Sequence, residues 1–237
     1  VIDKAFPPGL EVTVERCWHI SEKMVDALVE LHSVDVFATG LHRFGRPEGF
    51  IKRQVEGWID RYHRARTDEI PVVERLTKWL MDHIPISQEA TIIHNDFKLN
   101  NVLFSDELDR PVAVVDWEMS TIADPLFDLG VSLGYWLQDD DPEPLKRAVG
   151  SMCPMPGFLT REEFVQRYAG LSGRNIRNIH FYLTFAYFKH AVIVQQIYYR
   201  WKKGQTKDER FAANGERVKT LMEHAYLLSQ RKAGGIF

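Results

Sequence analysis

His94-Asn95-Asp96-Phe97-Lys98-Leu99-Asn100-Asn101, followed after a turn by Val114-Val115-Asp116-Trp117-Glu118, is the stretch on which fold and chemistry depend. It lies among three short runs, Thr91-Ile92-Ile93, Val102-Leu103-Phe104 and Val112-Ala113-Val114-Val115, whose composition suits strands in an otherwise helical chain. The connecting Ser105-Asp106-Glu107-Leu108-Asp109-Arg110-Pro111 is rich in turn formers, so the last two runs read as a hairpin. A loop leaving the first strand then presents Asp96. Asn101 turns back five residues later, and Asp116 returns to the same end of the sheet.

Phosphoryl transfer uses such a set of side chains. His94, Asp96 and Asn101 fit H-x-D-x-x-x-x-N, the pattern of kinase catalytic loops. Asp96 can orient a substrate hydroxyl and accept its proton. The Asn101 amide oxygen and the Asp116 carboxylate are hard ligands for Mg²⁺ bridging nucleotide phosphates. Lys98 is the candidate cation for the transferring group, because the barrier is lowered mainly by positioning and charge neutralisation. Each residue alone also has a plain structural role. His94 organises a loop through backbone bonds, Asp96 forms a turn, Asn101 caps, Asp116 ends a strand and Lys98 is solvated. Spacing and strand context together favour the functional set.

Outward from this insert the pattern is helical. Met24, Val25, Leu28 and Leu31 make one apolar face of a helix over Ser21–His32, with Ser21 as N-cap. Further helices are predicted from Glu48 to Arg66 and from Val72 to His83, the latter stopped by Pro85. After Asp124 the period returns, and Thr160 with Glu163, and Thr206 with Glu209, form capping boxes. Asp139 to Pro156, with four prolines and three consecutive aspartates, reads as a solvated loop with at most a helical turn. No interior linker appears, so residues 1–237 read as one domain, α+β and mostly helical.

Composition excludes several classes. The 237 residues carry 30 Lys+Arg against 33 Asp+Glu, intermixed, so no broad basic surface for nucleic acid is present. Two cysteines at no metal-ligand spacing point to a reducing, cytoplasmic setting. Phe181 to Trp201 has the length of a membrane span. Lys189, His190, Gln195 and Gln196 within it argue instead for a helix packed inside the protein.

Ile92 to Phe104 and Val112 to Gly130 together resemble the aminoglycoside phosphotransferase and choline kinase-like superfamily, which shares the protein-kinase fold. The resemblance is closer to kinase-like domains fused to some acyl-CoA dehydrogenases and to their stand-alone bacterial relatives. Leu28 to Asp35, Phe44 to Trp58 and Phe181 to Arg200 also look like that subgroup. The resemblance implies the lower, C-terminal lobe of a kinase, with Asp96 as catalytic aspartate and Asn101 and Asp116 as the metal-binding pair. Asp124-Pro125-Leu126-Phe127-Asp128-Leu129 is similar to the family's D-P-x-x-D-L segment, in which Asp128 would support the catalytic loop from a helix start.

Such kinases also carry an upper lobe with a nucleotide-covering loop and a phosphate-pairing lysine. Nothing before Val14 supplies these, so residues 1–14 read as the connector between lobes, in a fragment of a longer kinase or a lower-lobe protein. The function expected is ATP- and Mg²⁺-dependent transfer to a small-molecule hydroxyl, of hydroxyacyl or aminoglycoside type. Asp139, Asp140, Asp141 and Glu143 could face a polycation; Tyr198, Tyr199, Arg200 and Lys202 could meet an anion. A non-catalytic pseudokinase-like module is the alternative. A metal-dependent phosphohydrolase built on His94, Asp96 and Asp116 is disfavoured, since no second histidine stands close to His94.

Overall fold

The computed structural model describes residues 2, 5–7, 9–87, 89–151 and 155–231. Cys153 and positions 1, 3, 4 and 8 of the expected connector lie outside the described residues.

Helix α1, Val14–His32, begins earlier than its apolar periodicity suggested, because the Thr13 hydroxyl accepts from the Arg16 N–H and caps it. Ser21 is therefore not a cap. It is buried in mid-helix, donating to the Cys17 carbonyl at 2.8 Å and accepting from Leu159 N–H. Helices α2 (Phe50–Ala65) and α3 (Val73–Asp82) follow.

Four short strands come next, β1 (Thr91–Ile93), β2 (Val102–Phe104), β3 (Pro111–Val114) and β4 (Thr121–Ala123). β1 pairs with β4 and β2 with β3, both antiparallel, as two separate two-stranded sheets. With so few ladder bonds, the strands depend on helices for stability. β1 packs against α1 and α4.

The second half is α4 (Pro125–Tyr135), α5 (Glu143–Val149), α6 (Arg161–Ser172), α7 (Ile179–Lys202) and α8 (Asn214–Ser229). Asp124 caps α4 by accepting from Leu126 N–H, with Pro125 in the first turn. Thr160 and Glu163 form the expected reciprocal box on α6. Thr206 and Glu209 do not form theirs. Asp208 caps a short 3-10 turn at Glu209–Phe211 instead, and α8 starts at Asn214. The proline-rich segment expected as loop contains α5, whose two turns end at Gly150 in the left-handed conformation.

α7 is the central element. Apolar residues on nearly all its faces are buried, as suits a helix enclosed by α2, α4 and α8. Among the described residues no helix is long and apolar enough to cross a membrane. α4 and α7 approach so closely at Gly130 that an added Cβ would lie 2.7 Å from Tyr182 Cβ. That contact fixes α4, and α4 holds the loop after β1.

Candidate active site

The loop after β1 is fastened from below by α4. Asp128, in the first turn of α4 and fully buried, accepts from the backbone N–H groups of both His94 and Asn95. One turn later, Ser132 donates to the Phe97 carbonyl at 2.9 Å. Asp128 also lies 3.3 Å from His32 Nε2, and His32 Nδ1 lies 2.8 Å from the Tyr168 hydroxyl. The peptide turns sharply at Asn95, whose φ of 65° is left-handed, a region asparagine tolerates better than most residues. Asp96 follows, partly exposed at the surface.

His94 bonds to backbone at both nitrogens. Nε2 is 2.9 Å from the Val115 carbonyl, and the Asp96 N–H donates to Nδ1 at 3.3 Å. It thus ties the Asp96 turn to the end of β3, with Trp117 packed on its ring. Asn101 closes the loop by donating Nδ2 to the Asp96 carbonyl at 2.9 Å and to Asp96 Oδ2 at 3.1 Å. Lys98 Nζ lies 2.7 Å from Asp96 Oδ2 and 5.0 Å from the centre of the Tyr135 ring. Burial, and then the nearby negative charge of Asp96, push the Tyr135 phenol well above its ordinary range.

Asp116, two residues past the end of β3, has a φ of 74°, also left-handed, which ends the extended run and opens the 3-10 turn Trp117–Met119. Glu118 sits beside it. The hydrogen bond to Asp116, and then the charge of that carboxylate, hold Glu118 above the usual range, with a smaller push from Asp96. Neighbouring carboxylates such as Asp116 and Glu118 suit a hard divalent cation, which would relieve their repulsion. Among the described residues no cluster of three or more His, Cys, Asp and Glu side chains suited to a metal ion occurs. Mg²⁺ does not require one, since phosphates and water complete its shell.

The candidates Asp96, Lys98, Asn101, His94 and Asp128 therefore meet in one hydrogen-bonded unit, with Asp116 one residue beyond the His94–Val115 bond. Three further side chains join it that the sequence did not assign. Tyr135, Lys189 and His190 line a small cleft with Asp96. Lys189 is buried and donates to the Asn95 carbonyl and to Asn95 Oδ1, each at 3.0 Å. Burial lowers its pKa to about 8, against the pull of Asp96 and Asp128. A lone lysine inside an apolar helix was the available signal, because lysine is almost never buried unpaired.

The other two clusters behave differently. Asp141 is not solvated, as its carboxylate grips buried Arg161 at 2.9 and 2.6 Å. Lys202 is taken by Asp68 at 2.7 Å. Arg200 and Tyr199 do line a groove, together with Arg61, Arg64 and Ile193.

The model of the phosphotransferase enzyme family matches residues 10–163. Acyl-CoA dehydrogenase family member 10 of Mus musculus is 35% identical over 232 residues, 97% of this chain and 21% of that protein. The chain thus spans about one fifth of that relative's length. A crystal structure from Ralstonia eutropha, provisionally assigned as an aminoglycoside phosphotransferase, is 28% identical with a TM-score of 0.81, covering 94% of this chain and 68% of the other. Spectinomycin phosphotransferase in complex with ADP and spectinomycin shares the fold, with a TM-score of 0.54 at 14% identity over 94% of this chain and 68% of that one. On this evidence the chain is a mostly helical member of the phosphotransferase enzyme family.

Proposed function

We propose that these elements are the lower lobe of an ATP- and Mg²⁺-dependent kinase that phosphorylates a hydroxyl group of a small molecule. The observation that carries this reading is the closed Asp96–Asn101 loop beside Asp116. The Asp96 carboxylate orients the attacking hydroxyl and takes its proton as the new bond to the γ-phosphorus forms, the bond to the bridging oxygen breaks and ADP departs. Lys98, 2.7 Å away, pairs with that carboxylate and offers a positive charge to the transferring group. Asn101 Oδ1 and Asp116 would hold Mg²⁺, whose part is to neutralise charge on the phosphate oxygens. His94 and Asp128 hold the loop.

For the acceptor, charge favours an anionic hydroxyacyl compound over a polycationic aminoglycoside. Lys98 lies beside Asp96, and the groove of Arg61, Arg64 and Arg200 shares Ile193 with the Asp96 cleft. Similarity to acyl-CoA dehydrogenase family members supports the same choice.

Calorimetric titration with ATP, with and without Mg²⁺, tests the reading, using Asp116→Asn as control. Magnesium-dependent binding that the variant loses is expected. If the chain, and a version extended upstream into its natural protein, both fail to bind nucleotide, the pseudokinase-like alternative stands instead.

A further inference from the structure

Lys189 is an ammonium group in the middle of α7, between Phe188 and His190 and deep under the loop that carries Asp96. Burying such a charge is unfavourable unless it is hydrogen-bonded. The rings of Trp58 and Phe127 lie 5.7 and 5.9 Å from Nζ and supply part of its surroundings. Its hydrogen bonds go to one residue: Nζ donates at 3.0 Å to the Asn95 carbonyl and at 3.0 Å to Asn95 Oδ1.

That choice of partner matters because Asn95 is the left-handed residue whose turn aims Asp96. With Oδ1 held by Lys189, the amide is oriented so that Nδ2 donates to the Met119 carbonyl at 3.3 Å. Met119 ends the short 3-10 turn that begins just after Asp116. A continuous path therefore runs from α7 through Lys189 and Asn95 to both chemistry-bearing segments. Asp128 fixes the same turn from its N–H side, so Lys189 supplies the restraint on the carbonyl side that Asp128 cannot.

We infer that Lys189 is a positioning residue of the transfer site: its two-pronged grip on Asn95 fixes the turn that aims Asp96 and couples it to the segment after Asp116. The inference rests on the kinase reading above. The grip depends on charge, since bonds from an ammonium are roughly twice as strong as those from a neutral donor. The charged groups around Nζ are Asp96 on the loop and Asp128 on α4, which favour the ammonium, and Lys98 and Arg61, which oppose it. His190, its neighbour on α7, is held neutral by burial. The ammonium is consequently lost in mildly alkaline solution, near pH 8, rather than near pH 10.

Hydrogen–deuterium exchange and NMR on the wild-type chain, Lys189→Met and Lys189→Arg test this. In Lys189→Met the amides of residues 94–101 and 115–120 should exchange about 10- to 100-fold faster, with α8 unchanged, and Lys189→Arg should restore part of the protection. In the wild-type chain the Asn95 side-chain amide resonance should titrate with a midpoint near pH 8, which decides the matter even if Lys189→Met does not fold. Unchanged loop exchange in a folded Lys189→Met, or no titration of that resonance, overturns the inference. Where transfer is measurable, kcat in Lys189→Arg should lose the alkaline limb that the wild-type profile shows near pH 8. A wild-type chain that binds no magnesium nucleotide, even extended upstream, sinks the kinase reading, whereas the exchange and resonance data judge the grip itself.

Discussion

Asn101 Nδ2 lies 2.9 Å from the Asp96 carbonyl oxygen and 3.1 Å from Asp96 Oδ2. The amide thus spends its Nδ2 on the loop, and in the proposed kinase reading Oδ1 is the atom that would face a cation. Asp96 and Asp116 consequently separate into two roles. Asp96→Asn should lower transfer by about 10²- to 10⁴-fold, the usual worth of a proton-transfer group, with magnesium-nucleotide affinity nearly unchanged. Asp116→Asn should lose the magnesium dependence of binding. Calorimetry beside single-turnover kinetics checks both, and equal binding losses in the two variants would refute the assignment.

Asp128 is buried and accepts two backbone N–H groups of the loop. Asp128→Ala strands both donors and leaves His32 without its acid neighbour. Each unsatisfied buried group costs about 1–3 kcal/mol, so a loss of about 3 kcal/mol or more is expected in urea unfolding. A loss under about 1 kcal/mol would mean that water reaches the loop and replaces the carboxylate.

Most helices were legible because their apolar residues recur at helical spacing and bury one face, as Val55, Trp58 and Tyr62 do on α2. β1, β2 and β3 were legible from β-branched runs between turns. β4 was not, since the strand character of Thr121-Ile122-Ala123 comes from antiparallel pairing with β1, far away in sequence. Ser21 failed as a cap because a hydroxyl at a cap and one bonded back inside a helix look alike in sequence. Of the candidate site, the contact between Asp96 and Asn101 was legible from their spacing. Lys189 was not legible, because the contact to Asn95 spans 94 positions and local pattern records no such pairing.

The acidic run was misread for a similar reason. Asp141 and Arg161 are 20 positions apart, and form a nearly dry pair with side chains 7% and 8% exposed. Asp141→Ala leaves the guanidinium buried without its partner and should cost about 3–5 kcal/mol. Asp139→Ala, at an exposed position beside it, should change stability by no more than about 0.5 kcal/mol. Thermal and urea unfolding distinguish the two, and similar small effects would restore the solvated reading.

Gly130 tests the α4–α7 contact that sets the height of Asp128. A Cβ there would meet Tyr182 Cβ at 2.7 Å and the Tyr182 carbonyl carbon and oxygen at 2.8 Å. Alanine is otherwise the better helix former by about 1 kcal/mol, but backbone atoms cannot step aside. Gly130→Ala should therefore destabilise by about 1–3 kcal/mol. Gly134→Ala, facing Ala186 Cβ at 3.2 Å, should cost less. A stabilised Gly130→Ala would show that the two helices separate freely.

His190 and His224, with a smaller part from half-buried His180, weaken the fold in acid. Burial, aided by Arg217, Lys98 and Lys189, lowers His190 to about 3, and burial with Arg161 lowers His224 to about 4. In the unfolded chain both take up a proton near pH 6.5. Below that pH the unfolded state binds more protons than the folded one, so stability rises with pH and is lost as pH falls from about 6.5 towards 4. Each imidazole adds a slope of up to about 1.4 kcal/mol per pH unit in this window. Unfolded carboxylates titrate lower, so between about pH 5 and 6.5 the histidines dominate. Urea unfolding at pH 7 and pH 5 should show a stability drop that shrinks in His190→Gln and shrinks further when His224→Gln is added. A drop of unchanged size in the double variant would mean that both imidazoles reach solvent in the folded protein.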